Sequence, residues 1–349
     1  MGAPLLLRAR GDLIAQRAGF DAIAELVSTS RTVAICAHTA PDGDAIGSTL
    51  ALGRGIRSLW PDVQVTCLLA DDQDVPRTLQ FLPGADTLVR ASEYLEDPDL
   101  FICVDLSSAP RLNNGEVVMR RAAHVAVIDH HPGGEPYWDA AVIRPEACAA
   151  GVLVAEFIEH CGGGLTSDMA QNLLTAIVTD TGRFQYQNAD PEAFAVASAL
   201  VNAGANPAEV SLNVYQSDRL AYLHLEAKVM SRIVTFSEGR ISYSYATLED
   251  INGGGVAMSE CEGLVDVVRR VSGAEICLFL KEVTADKVRG NLRAKTDIDI
   301  SGVARELGGG GHSAASGFTM EGDIDEVLSA ALPRLHALLD GSEDGTASA

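Results

Sequence analysis

Lysine is nearly missing from this chain: only four of its 26 basic residues in 349 are lysines, set against 48 acidic residues and a net charge of −22. That excess argues against long duplex nucleic acid as a partner, because such a partner is usually held by a basic face that neutralises many phosphates. An anchor for any smaller anion falls to arginine, whose planar fork grips phosphate oxygens in pairs. No apolar run approaches the roughly 18 residues of a membrane span, and the apolar stretch in the opening "MGAPLLLRARGDL" is short for a signal peptide. The sequence therefore reads as cytoplasmic, with no membrane partner. Its seven cysteines form no C-x-x-C pair, which argues against a zinc ribbon or a disulfide framework. Cys36, Cys67 and Cys103 lie in apolar, strand-like runs, where buried reduced thiols belong. A hydrophobic fraction of 47% excludes a disordered chain and, at this length, leaves room for two domains.

What is present has the rhythm of an α/β protein. Apolar runs at "RTVAICAH", "VQVTCLLA", "LFICVDL" and "AAHVAVIDHH" alternate with helix-like segments, which indicates a mainly parallel sheet. Helical periodicity follows in "CAAGVLVAEFIEHC", "SDMAQNLLTAIVTDTG" and "PEAFAVASALVNAG". The expected organisation is an N-terminal domain over 20–205, a helical linker over 206–235, a smaller α/β domain over 236–340 and a disordered polar tail over 341–349.

Residues 33–53, "VAICAHTAPDGDAIGSTLALG", place His38, Asp42 and Asp44 between an apolar run and a helix-like segment. Such junctions are where α/β proteins assemble sites, at the carboxyl ends of their strands. Asp105 ends "LFICVDL", Asp129, His130 and His131 end "VAVIDHH", and Asp180 ends a helix in "IVTDTGRF". Singly, an aspartate there is more often a helix cap or turn former, and a histidine more often a packed or surface residue. Four clusters along one sheet edge reverse that preference. Carboxylates and imidazoles without thiolates suit Mn²⁺ or Mg²⁺, and five or more ligands can hold two ions. Two ions about 3.5–4 Å apart can clamp a phosphoryl group and supply a nucleophile, the chemistry of phosphate-ester hydrolysis.

In order across about residues 20–340, "HTAPDGDAIGS", "CVDLSS", "VIDHH", "TDTGRF" and "GGGGHSAASGF" resemble the motifs of DHH phosphoesterases with a DHH-associated second domain. That group contains nano-RNases, pAp phosphatases and cyclic-dinucleotide phosphodiesterases. The resemblance implies that His38, Asp42 and Asp105 hold one metal ion, that Asp44, Asp105, His130 and Asp180 hold another, and that Asp105 bridges them. It implies that Asp129 orients a histidine by a hydrogen bond, and that His131 contacts the scissile phosphate and assists the leaving oxygen. Arg111 in "SSAPRL" is a candidate phosphate contact. In the second domain, Gly309, Gly310, Gly311 and His312, with Arg293 nearby, resemble the family's nucleotide-binding loop, where missing Cβ atoms let backbone N–H groups approach an anion. The family usually has serine after this arginine; Ala294 removes that side-chain hydrogen bond.

The function so implied is an enzyme, with its site in the cleft between the domains, that hydrolyses short oligoribonucleotides, pAp and cyclic di-AMP to 5′-mononucleotides. Two divalent ions, Mn²⁺ first and Mg²⁺ or Co²⁺ as alternatives, and a homodimer go with it. The arginine-rich, lysine-poor composition is similar to that of chains from high-GC actinobacteria, which implies cyclic di-AMP as a substrate. Two rivals are a manganese-dependent inorganic pyrophosphatase and a non-catalytic nucleotide-binding regulator. The first lacks the "GGGGH" signature; the second is disfavoured because every expected ligand position is filled.

Overall fold

Unbroken apolar runs such as "TVAIC" and "LFICV" make stable strands only when both faces are covered, and here both are. The computed structural model describes residues 13–106, 108–132 and 136–343, and the chain divides after Ser217 into two units. The first contains α1 (Leu13–Thr29), β1 (Thr32–Cys36), α2 (Gly43–Leu59), β2 (Gln64–Leu69), β3 (Val89–Arg90), β4 (Leu100–Val104), α3 (Asn114–Met119), β5 (His124–Asp129), β6 (Ala140–Ile143), α4 (Ala150–His160), α5 (Ser167–Asp180), α6 (Pro191–Asn202) and α7 (Pro207–Val210), which runs into a π-helical turn at Ser211–Tyr215. Its six strands pair in parallel in the order β3-β2-β1-β4-β5-β6. Alternate residues feed two cores: Val33, Ile35, Leu100 and Ile102 pack with the helical layer of α1, α2, α4 and α5, while Ala34, Cys36, Phe101 and Cys103 pack on the other face with Leu112 and Met119. Each fully buried large side chain contributes about 1.5–3 kcal/mol.

Chain order reverses direction across the sheet between β1 and β4, and the crevice at the carboxyl ends of those strands is where open α/β sheets bind ligands. Glycines set the helical layer close above it. Gly43 of α2 faces Thr179 of α5, Gly47 lies against the carbonyl of Asn172, and a Cβ at Gly151 of α4 would come within 2.8 Å of Ala176. This spacing brings the start of α2 to the end of α5. Short β3 and β6 are absent from the sequence reading because two and four residues carry no usable period.

The second unit contains α8 (Leu220–Ser231), β7 (Val234–Phe236), β8 (Ile241–Ala246), α9 (Leu248–Gly253), α10 (Leu264–Arg269), β9 (Ile276–Thr284), β10 (Lys287–Ala294), α11 (Ser301–Glu306), β11 (Gly310–Gly311), β12 (Ala315–Glu321) and α12 (Ile324–Glu343). Its mixed sheet, ordered β11-β12-β10-β9-β8-β7, is also covered on both faces: Leu278 and Leu280 pack with α12, and Cys277 and Phe279 with α8 and α10. The expected linker thus splits, its first helix joining one unit and its second the other. The expected disordered tail is corrected at its start, since α12 continues through residues 341–343; residues 344–349 lie outside the described residues. All seven cysteines are free thiols, and Cys36, Cys67 and Cys103 are buried. No helix among the described residues is long and apolar enough to cross a membrane.

The close approach of α2 to α5 makes Gly47→Ala a sharp test of this packing. The added methyl would run into a backbone carbonyl, so thermal unfolding should show a loss of about 1–3 kcal/mol. Gly253→Ala, where nothing lies within 4 Å of the added atom, should leave the melting temperature unchanged or slightly raised.

Candidate metal centre

The crevice at the ends of β1, β4 and β5 gathers all of the acidic and histidine clusters read from the sequence. His38 follows β1, and Asp42 caps α2 by accepting from the N–H groups of Asp44 and Ala45, both at 3.0 Å. Asp105 follows β4, Asp129 ends β5 ahead of His130 and His131, and Asp180 ends α5. Three groups have ligand atoms within 4.8 Å of one another: His38, Asp42 and Asp105; Asp44, His130 and Asp180; and Asp105, His130 and His131.

Hydrogen bonding fixes which nitrogen each imidazole presents. Nδ1 of His38 lies 2.8 Å from the Thr39 carbonyl and Nδ1 of His130 lies 3.0 Å from the Ala147 carbonyl. A carbonyl only accepts, so Nδ1 carries the proton and Nε2 points inward with its lone pair. There Nε2 of His38 is 3.2 Å from Asp105 Oδ2 and 3.9 Å from Asp42 Oδ1. Nε2 of His130 is 3.3 Å from Asp105 Oδ1, and 3.8 Å from both Asp44 Oδ2 and Asp180 Oδ2. Asp105 thus turns one oxygen to each imidazole, the arrangement expected of a bridging ligand, and its buried Oδ1 has no hydrogen-bond partner.

Lone pairs facing lone pairs require a proton or a cation between them. Bonds of about 2.0–2.2 Å from a divalent ion set adjacent ligand atoms about 3–4 Å apart, in keeping with these separations. Four carboxylates match the charge of two such ions. The donor set of oxygens and imidazole nitrogens fits Mn²⁺ or Mg²⁺ better than a thiophilic ion.

Without metal, protons take that role. Burial alone would lower the His38 imidazole, but the contact with Asp105 and the charges of Asp42 and Asp105 outweigh it and raise it to about 9. His130 rises to about 11 for the same reasons, against burial, through Asp105, Asp180 and Asp44. Burial, joined by the charge of Asp105, pushes Asp44 up to about 7. Burial also raises Asp180 well above the usual carboxylate range, whereas for Asp105 the contacts with His130 and His38 overcome burial and hold it low.

The support around these groups was only partly expected. Asp44 is gripped on both oxygens, by Ser48 Oγ at 2.7 Å and Gly151 N–H at 2.9 Å on Oδ1, and by Ala150 N–H at 2.6 Å on Oδ2. It therefore caps α4, whose own N-cap, Ala149, has no capping side chain, and the positive end of that helix steadies its charge. Asn188 donates to the carbonyls of Asp180 and Cys148, each at 3.1 Å, and to Asp180 Oδ2 at 3.4 Å. Asp71 holds the loop between His38 and Asp42. Ser48 had a signal, four residues after Asp44 on one helix; Asn188 and Asp71 had none, since their partners come from other loops. Asp129 orients His131, through Nδ1 at 2.8 Å, and not His130, whose Nδ1 goes to Ala147. Arg111 Nη1 lies 3.5 Å from His131 Nε2. Left-handed backbone concentrates here too: Ala40, Asp105, Asn113, Arg183 and Phe184 are the non-glycine residues of the first unit with positive φ among the described residues.

In the second unit Arg293, on β10, pairs across the sheet with Ala315 of β12, and its Nη1 donates to the Leu292 carbonyl at 2.9 Å. The glycine run lies along β12. Gly309 N–H donates to Ala304 at 2.8 Å and His312 N–H to Ala315 at 2.8 Å, while Gly310 and Gly311 form β11 beside β12. Glycine is needed because a Cβ at Gly309 would collide with the Gly317 carbonyl, and Gly311 sits at φ +139°.

Proton release checks the ligand assignment. A group whose pKa lies above the working pH holds a proton in the metal-free protein and must lose it when an ion binds. With His38 at about 9 and His130 at about 11, Mn²⁺ uptake at pH 7.5 should release at least one proton per protein, and affinity should rise between pH 6 and 8. Calorimetric titration in buffers of different ionisation enthalpy reads this directly; uptake without proton release would mean that both imidazoles are already neutral before the ion arrives, and unchanged affinity in His38→Ala or His130→Ala would exclude that imidazole as a ligand.

The chain matches the DHH family N-terminal domain over residues 32–196 and the DHHA1 domain over residues 240–339. It is similar to the bifunctional oligoribonuclease and PAP phosphatase NrnA of Thermus thermophilus, with 30% identity over 84% of this chain and 86% of that protein. The protein of the same name in Bacillus subtilis is 26% identical over 86% of this chain and 94% of its own. The cyclic-di-AMP phosphodiesterase GdpP of Geobacillus thermodenitrificans is 28% identical over 83% of this chain and 45% of its own. An exopolyphosphatase-related protein of Bacteroides fragilis has a solved structure that covers 95% of this chain and 100% of its own, with a TM-score of 0.87 at 25% identity. The chain therefore belongs to the DHH family of phosphoesterases, among the members whose second domain is DHHA1.

Proposed function

We propose that this hydrolase releases 5′-mononucleotides from short oligoribonucleotides and small nucleotides, opening cyclic di-AMP to pApA and cutting pApA, like pAp, to AMP. The observation that carries the reading is the pair of inward-facing imidazoles sharing Asp105, with Arg111 and His131 alongside. The named activities of the NrnA and GdpP relatives support the substrate classes. The reading includes Mn²⁺ as the ion, with Mg²⁺ or Co²⁺ next, and a homodimer working in the cytoplasm.

Two bound ions would be held by His38, Asp42 and Asp105 and by Asp44, Asp105, His130 and Asp180. They would supply Lewis acidity at the phosphoryl oxygens and a nucleophile at neutral pH. The remaining work falls to side chains of this chain. Asp129 keeps the Nδ1 proton of His131 in place, leaving Nε2 as the nitrogen through which a proton reaches the leaving oxygen. Arg111, beside that nitrogen, holds a phosphate oxygen as the bridge breaks. Arg293 and His312 bind a distal phosphate or ribose, and the protein's net charge of −22 penalises further phosphates of a longer chain.

The test is a product-resolved assay with Mn²⁺, offering pAp, dinucleotides, a 20-nucleotide RNA and cyclic di-AMP side by side. Dinucleotides should be cut far faster than the 20-mer at equal molar ends, with pApA appearing only transiently from cyclic di-AMP; equal rates would refute the short-substrate reading. Asp105→Asn should lower every one of these activities by more than about 100-fold, since even partners of metal ligands are worth 10–100-fold, while leaving the melting temperature nearly unchanged. Activity within a few-fold of the parent would refute the bridging role. Arg111→Ala should raise KM, and Arg111→Lys should restore little of it, because a point charge does not reproduce the planar fork.

A further inference from the structure

Asp71 stands just past the end of β2 and joins the loop that carries His38 and Asp42 to the loop that carries Arg111. Its Oδ1 accepts from Thr39 Oγ1 at 2.6 Å and from Asn113 Nδ2 at 2.7 Å, and its Oδ2 accepts from Ala40 N–H at 2.6 Å. Thr39 and Ala40 lie between the ligands His38 and Asp42. Asn113 lies two residues beyond Arg111. The Thr39 N–H donates to the Arg111 carbonyl at 2.7 Å, and Asn114 N–H donates to the Ala70 carbonyl at 3.2 Å.

Both loops need such a tie. Ala40 has φ +51° and Asn113 φ +46°, conformations that cost an L-residue about 1–2 kcal/mol and persist only when neighbours enforce them. The carboxylate bonds directly to each strained residue. The same Thr39 peptide supplies the carbonyl that accepts from His38 Nδ1 at 2.8 Å, so the position of Thr39 sets the direction of His38 Nε2. The Asp44–His130–Asp180 group is supported separately, by α4, Ala147 and Asn188.

Resting on the dimetal reading above, we propose that Asp71 is a positioning residue that aims His38 at one of the two ions and holds Arg111 in register with it, and that it has no such hold on the other ion. The carboxylate acts through the Thr39 peptide on the metal side and through Asn113 on the phosphate side. One residue thereby couples retention of that ion to grip on the substrate's phosphate.

The experiment measures Mn²⁺ binding by the electron paramagnetic resonance signal of the free ion, with no substrate present, in the full chain. The parent should take up two ions. Asp71→Ala should weaken one of them by up to about 10-fold, the lower end of what losing a ligand's direct partner costs, since Asp71 acts through the Thr39 peptide, and leave the other at its parent affinity. At saturating Mn²⁺ its KM for pApA should stay raised while kcat recovers. Asp71→Asn, which keeps an acceptor for Thr39, should show a smaller form of the same selective loss, and so should Thr39→Val, which guards against a folding failure in the alanine variant. Equal weakening of both ions, or of neither, in variants that melt like the parent would overturn the role of Asp71. A parent that binds fewer than two ions would instead overturn the dimetal reading, and this inference with it.

Discussion

Asp42, Asp44, Asp105 and Asp180 converge on two imidazole nitrogens, and carboxylates so placed repel one another unless positive charge stands among them. Much of the first unit can be understood as the means of holding that repulsion together. Hydrogen bonds to the N–H groups opening α4 stabilise Asp44, and those opening α2 stabilise Asp42. The histidines are locked from behind by backbone carbonyls, so they cannot rotate their lone pairs away. The raised imidazoles and the low Asp105 describe a centre that takes up protons when metal is withheld.

The parallel sheet makes the convergence possible. With β1 and β4 adjacent in space but separated in sequence, the chain leaves the sheet in opposite directions after them, and loops from three strands can meet over one point. The helices contribute by coming unusually close. Glycines at the α2–α5 and α4–α5 contacts remove the side-chain layer that would otherwise separate Asp44 from Asp180. Packing and electrostatics therefore place the same atoms, one by allowing proximity and the other by making a cation there favourable.

The sequence was most legible where burial is two-sided. β1, β2, β4, β5 and β9 appear as apolar runs because both faces of each sheet are covered, and the candidate metal-centre residues were visible because they follow such a run, open the helix after it or end a periodic helix. Short edge strands such as β3 and β11 were not, since their pairing is decided by neighbours and not by their own residues. The glycine run was legible as a close backbone approach, but its pairing as β11 along β12 was not, since that depends on a partner strand. Asp71 and Asn188 act across loops that meet only in three dimensions, and no spacing along the chain announces them. Asp129 was expected behind a metal-bound histidine, but its ring contact is with His131, while a backbone carbonyl holds His130.

Asp105 has φ +61°. Glycine would occupy that backbone conformation without strain, and almost any uncharged residue would spare the fold a buried carboxylate. The position is thus one at which folding and chemistry prefer different amino acids. A lineage released from the need for turnover would be expected to lose this aspartate early, drifting towards a steadier and inert scaffold.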